Sequence, residues 1–109
     1  MLKPADFLIL LALAEKERHG YGIRQDLAQA TEGALWLDAG NLYRSIHRLL
    51  DSDLLARSGR KTAHDAADER RVYYRLTPKG RAALAAEARR MQGLLRLGKV
   101  RKLLSERAF

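Results

Sequence analysis

Cysteine is absent from the 109 residues, which excludes disulfides and thiolate metal sites and fits a reducing compartment. The three histidines, His19, His47 and His64, fall in different segments and never at the i, i+4 spacing of a helical metal pair, so no zinc site is expected. Carboxylates are scattered and no glycine-rich phosphate loop occurs, so neither an enzyme nor a cofactor site is expected. Long apolar runs are lacking too. The longest, Phe7 to Ala14, is too short to span a bilayer. With Lys3 before it and the triplet Ala12-Leu13-Ala14 at its end it superficially resembles a signal peptide, but cleavage there would leave unusually short n- and h-regions. It reads instead as a buried first helix of a cytoplasmic protein with no membrane partner. Aromatic residues are few: Trp36 is the single tryptophan, and residues 78 to 106 contain no Trp, Tyr or Phe.

Positive charge is what the chain has in excess. Lys and Arg outnumber Asp and Glu by 21 to 13. The imbalance is uneven: residues 1 to 52 carry six basic and seven acidic side chains, residues 53 to 109 fifteen and six. A positive field over the C-terminal half attracts nucleic acid or an anionic membrane surface.

The length suits one compact domain extended by a long terminal helix. Pro4 sits where a helix can begin, with Asp6 in its first turn, and the run through Leu13 is apolar nearly all round, as in a helix buried on more than one side. After a charged stretch, His19-Gly20-Tyr21-Gly22 reads as a turn. A second helix from Tyr21 to about Thr31 presents Ile23, Leu27 and Ala30 to the core and is stopped by Gly33. Ala34 to Asp38 alternates weakly and reads as a short extended segment, with Leu35 and Leu37 opposing Trp36.

A third helix over 41–52, capped by Gly40 or Asn41, has the apolar stripe Leu42, Ile46, Leu49 and Leu50, with Asn41, Arg44, Ser45 and Arg48 opposite. Strands are predicted over Leu54 to Ser58 and Val72 to Leu76. The polar stretch between them, with its tip around Ala63 to Asp68, is too long for a tight turn and reads as a flexible wing. Thr77 as N-cap and Pro78 at the first helical position open a final helix to about Glu106. Its spacing of Leu84, Ala88, Met91 and Leu95, then Leu97, Val100 and Leu104, is a partner-helix pattern whose seam slips near Gly98; Gly93 and Gly98 mark a bend or an end.

Arg44 and Arg48, one helical turn apart, suit a groove: arginine pairs bidentately with guanine or clamps phosphate. Asn41 either reads adenine or caps the helix, and the sequence leaves both readings open. Tyr43 is amphipathic: its ring suits packing beside Leu50 and its hydroxyl a phosphate contact. His47 faces phosphate or lies on the helix flank. Arg57, Arg60, Lys61, Arg70 and Arg71 make the hairpin basic and suit salt-dependent affinity, with a tip arginine a candidate for the minor groove. Trp36 and Met91 read as core or interface residues ahead of ligand contacts.

In this order the segments resemble the PadR family of transcriptional regulators. The resemblance rests on His19-Gly20-Tyr21-Gly22-Ile23, on Gly40-Asn41-Leu42-Tyr43-Arg44 with Leu49 following, and on Tyr73-Tyr74-Arg75-Leu76-Thr77-Pro78-Lys79-Gly80, within residues 7 to 84. It implies a mainly α fold with a small β-hairpin wing: a winged helix-turn-helix DNA-binding part over 1–77, then a C-terminal dimerisation helix over 78–109. It implies a homodimeric repressor of a roughly palindromic operator in double-stranded DNA, with Tyr21 and Gly40 joining the DNA-facing set. Pairing through the C-terminal and first helices places Phe7, Leu8, Leu11, Leu84, Ala88, Met91, Leu94, Leu95 and Val100 at the dimer contact. Release by a small hydrophobic effector is implied as well, although relatives of that kind stack ligand on a C-terminal aromatic residue that this helix lacks. Two positions depart from the family pattern: Ser52-Asp53 stands where a glycine usually precedes the wing, and Asn41 where Thr or Ser is common. The competing reading is a winged-helix adaptor that binds protein without specific DNA affinity.

Overall fold

A computed structural model describes residues 1–59 and 72–106. The chain opens on α1 (Pro4–Ala12), whose Ile9, Leu10 and Ala12 are buried together with Leu13. Among the described residues α1 is not buried all round. Phe7 and Leu8 are only partly covered and Leu11 is exposed.

The predicted turn at His19 is more than a turn. Arg18–His19 forms a short strand, β1, and His19 then caps α2 (Gly20–Ala30), its Nδ1 accepting the Gly22 N–H at 2.9 Å. Arg18 secures the corner: its Nε donates to the Ala12 carbonyl at 2.6 Å, satisfying the end of α1, and its Nη2 lies 3.0 Å from Asp26 on α2. Ile23 and Leu27 enter the core as expected. Ala30 does not: it is exposed in the last turn, on the rim of a groove shared with Leu8 and Leu11. The helix ends through Glu32 and Gly33, at φ 53° and 83°, with the Gly33 N–H donating to Ala28 O at 2.7 Å. The following segment makes no strand, although Leu35 and Leu37 are partly buried and Trp36 exposed.

The third helix, α3 (Ala39–Asp51), begins two residues earlier than predicted. Its cap is neither Gly40 nor Asn41 but Asp38, whose carboxylate is an acceptor of the type an open helix start requires. Leu42, Ile46 and Leu49 are fully or almost fully buried and Leu50 partly so. Ser45 is corrected: it is 6% exposed, turned inward beside the Arg48 guanidinium at 3.2 Å.

Two further strands, β2 (Leu55–Arg57) and β3 (Tyr73–Leu76), pair antiparallel with Ala56 opposite Arg75, and β1 adds to the free edge of β3 with Arg18 opposite Tyr74. The sheet order is β1-β3-β2. The hairpin is therefore a three-stranded sheet, since two residues of β1 suffice to satisfy the outer edge of β3.

Thr77 caps α4 (Pro78–Leu95) as predicted, accepting from Gly80 N at 2.9 Å, while its hydroxyl donates to Asp53 O at 2.7 Å. Lys79 Nζ reaches Ser52 O, at the C-terminal end of α3, at 3.0 Å. Gly80 lies against the Leu54 carbonyl, where a Cβ would overlap the oxygen. These contacts lock the start of α4 onto the turn between α3 and β2. The helix stops at Leu95, and α5 (Gly98–Ser105) follows with no buried residue. The slip read at Gly98 is thus a break between two helices.

Candidate nucleic-acid interface

Burying Leu42, Ile46 and Leu49 turns the remaining side of α3 to solvent, with Asn41, Tyr43, Arg44, His47 and Arg48 exposed and Gly40 at its start. These predicted residues share one helix surface, except that Arg48 lies at its inner margin. Its Nη2 is 2.6 Å from Oδ1 of the buried Asp6, so much of its charge is directed towards α1. That partner lies 42 residues away, beyond any local sequence signal.

At the other end of the helix, Asp38 Oδ1 accepts the Asn41 backbone N–H at 2.8 Å and Oδ2 accepts Asn41 Nδ2 at 2.5 Å. Asn41 Oδ1 in turn accepts a hydrogen bond from Arg44 Nη2. The Asn41 N–H bond is the main influence holding the Asp38 carboxyl below its ordinary value; loss of hydration opposes it, and the Asn41 side chain and the Arg44 charge reinforce it. Asn41 therefore lies inside the capping network without being the cap.

Tyr43 is half exposed, and its hydroxyl sits so close to Gly20 that a Cβ there would lie 2.6 Å away. This contact brings the start of α2 beside α3, which explains the glycine before Tyr21. Tyr21 and Trp36 are both half exposed and meet edge to face with centroids 6.3 Å apart. The Arg24 guanidinium lies 4.3 Å from the Trp36 ring centre while its Nε donates to Leu37 O at 2.9 Å. Trp36 is thus not in the core: it flanks the N-terminal end of α3 and lines an open groove with Arg18, Tyr21 and Gln25. An Arg one turn into α2 and a Trp in an unstructured segment carried no periodicity by which to pair them.

Arg57 is exposed on β2. Arg60, Lys61, Arg70, Arg71 and the expected wing tip lie outside the described residues. Among the described residues no group of His, Asp or Glu could hold a metal ion, and no helix is long and apolar enough to cross a membrane. The face is cationic and aromatic, with donors that suit phosphate and base edges.

A family model for the transcriptional regulator PadR-like family matches residues 9–86. The chain belongs to the PadR-like family. Its fold is that of solved winged-helix PadR regulators. It is similar to a transcriptional regulator from Clostridium thermocellum, at 23% identity and a TM-score of 0.70 over 93% of this chain and 92% of that one. A PadR-like transcription factor from Bacteroides fragilis is 28% identical, with a TM-score of 0.67, over 82% and 81%. PadR of Bacillus subtilis in complex with operator DNA has a TM-score of 0.66 at 17% identity, over 79% of this chain and 47% of that one.

Both departures from the PadR pattern have visible consequences. Asp53 adopts φ 61°, the left-handed conformation for which glycine is suited, and its N–H donates to Leu50 O at 3.0 Å while Leu54 N closes on Leu49 O at 3.0 Å. The turn thus holds a left-handed conformation on a residue less suited to it than glycine. Asn41, where Thr or Ser is common, can both donate to Asp38 and accept from Arg44, which a hydroxyl on a shorter side chain reaches less easily.

The apolar residues expected at a dimer contact divide in two. Leu84 is in the chain's own core, 7% exposed, because the first turns of α4 pack on α1 and β3. Ala88, Leu94 and Leu95 are exposed, as is Leu11, while Phe7, Leu8, Met91 and Val100 are partly covered.

Proposed function

We propose that this PadR-like regulator binds double-stranded DNA as a homodimer and represses transcription from a roughly palindromic operator. The observation that carries the reading is the outward face of α3: Asn41, Tyr43, Arg44 and His47 stand clear of a helix anchored by Leu42, Ile46 and Leu49. Arg57 and the basic hairpin residues Arg60, Lys61, Arg70 and Arg71 add phosphate contacts, and Tyr21 adds one from the start of α2. Arg48, tied to Asp6, serves chiefly to orient α3 and offers its Nη1 to the backbone. The solved complex of Bacillus subtilis PadR with operator DNA supports duplex DNA as the partner of this fold.

Leu11, Ala88, Met91, Leu94, Leu95 and Val100 provide the apolar surface through which two copies pair, with Phe7 and Leu8 alongside. Residues 1–77 then act as the DNA-binding part and 78–109 as the pairing part. Two α3 helices about 34 Å apart would enter successive major grooves. A small hydrophobic effector that rotated one protomer against the other would release the operator, since both helices could no longer dock together. The protein works in the cytoplasm, where its DNA is.

Fluorescence anisotropy on the chain's own upstream DNA and on a scrambled duplex, at two salt concentrations, tests the reading. A preference that persists at the higher salt is expected; equal affinity for both duplexes overturns it.

A further inference from the structure

From the contacts around Asp38 we infer that this carboxylate is a specificity-determining residue, which sets the Asn41 amide and through it Arg44 in one orientation for reading base edges. The inference rests on the DNA-binding reading above.

An acidic side chain at the start of a helix directed towards a polyanion weakens general affinity, so simple capping is a poor reason for its choice. Serine caps as well without the charge. What serine cannot do is accept two hydrogen bonds from one neighbour in the way Asp38 does, with Oδ1 on the Asn41 backbone N–H and Oδ2 on its Nδ2. The carboxylate only accepts and the Arg44 guanidinium only donates. Between them the amide has a single orientation, Nδ2 towards Asp38 and Oδ1 towards Arg44. Each partner occupies one amide hydrogen or one lone pair. One of each remains, the pair an adenine edge requires. Arg44, drawn towards the N-terminal end of α3, is held close to the same base step. Three exposed side chains that would otherwise sample many rotamers are thereby ordered before DNA arrives, which lowers the entropy lost on docking.

The substitution Asp38→Asn separates this role from capping. Asparagine is as good a cap as aspartate, so the fold persists, but its amide places a donor where Asn41 Nδ2 needs an acceptor. Asn41 must turn over, and its NH2 group then faces the Arg44 guanidinium.

The test begins with a duplex selected from a randomised pool by the unaltered protein and compares it with an unrelated duplex. Asp38→Asn is expected to lower the ratio of the two affinities about tenfold, the scale of one bidentate base contact, while affinity for the unrelated duplex rises about two- to threefold at low salt from loss of one negative charge. In an Asn41→Ala background, Asp38→Asn should leave the ratio unchanged, because the residue through which it acts is gone. An unchanged ratio in the single variant overturns the inference while leaving the DNA-binding reading intact. So does an equal loss in the Asn41→Ala background. Failure of the unaltered protein to enrich any duplex overturns both.

Discussion

Arg48 and Asp6 join α3 to α1 by an ion pair in which Nη2 lies 2.6 Å from Oδ1, and the same nitrogen reaches Ser45 Oγ at 3.2 Å. The Asp6 side chain is 8% exposed and the Arg48 side chain 42%. A buried acceptor is thus matched to a half-exposed cation, the more costly member to leave unpaired being Asp6. Replacing Arg48 by Met should destabilise the fold by about 1–3 kcal/mol in urea melts. Asp6→Asn together with Arg48→Met should cost less than the two single changes combined, giving a coupling of about 1 kcal/mol. Additive losses would show that the pair contributes only as two separate packing elements.

Gly80 and Gly93 lie on one helix and predict opposite signs. A Cβ at Gly80 would overlap the Leu54 carbonyl oxygen, whereas one at Gly93 meets nothing within 4 Å. Gly80→Ala should destabilise by about 2–3 kcal/mol, since backbone must move. Gly93→Ala should stabilise by about 0.5–1 kcal/mol through helix propensity. Thermal melts of the two variants side by side check the contrast.

Asp53 holds a left-handed φ of 61° at the end of α3. Asp53→Gly relieves that strain at the expense of a freer unfolded chain, and a net gain of about 0.5 kcal/mol is expected. Asp53→Val, β-branched at the same angle, should lose more than 1 kcal/mol. Equal midpoints for the three proteins would contradict the strain.

Acid should loosen the junction between the N-terminal residues and α4. The Arg90 hydrogen bond, then the Leu2 N–H at 3.1 Å, hold the Glu87 carboxyl below its ordinary 4.5, against an opposing loss of hydration. A folded-state value below the unfolded one gives stability that is complete above about pH 4.5 and is lost as pH falls through the folded-state value. Glu87→Gln should flatten that part of the stability profile, measured by urea midpoints from pH 6 downward.

Much of this architecture was legible because short-range rules carried it. The Leu42, Ile46 and Leu49 stripe, the Thr77-Pro78 start of α4 and the break before Gly98 all follow from spacing and capping chemistry. Asp38 was legible in principle, as an Asp just ahead of an apolar-periodic stretch, but the glycine beside Asn41 offered a competing cap. The inward turn of Ser45, the partner of Arg48 and the β1 strand were not legible. Each depends on a contact with a residue more than 40 positions away or, for Ser45, on a neighbour so engaged. Trp36 illustrates the same limit: no periodic pattern links it to Arg24 and Tyr21, which only the folded chain brings together.

The eight residues of α5 bury no side chain against the rest of the described residues, and an isolated helix of that length does not hold itself in water. In the proposed dimer its order is therefore linked to self-association by mass action. Dilution should unwind this segment first, so that far-ultraviolet ellipticity per residue falls with protein concentration while the sheet and α1 to α4 keep their signal.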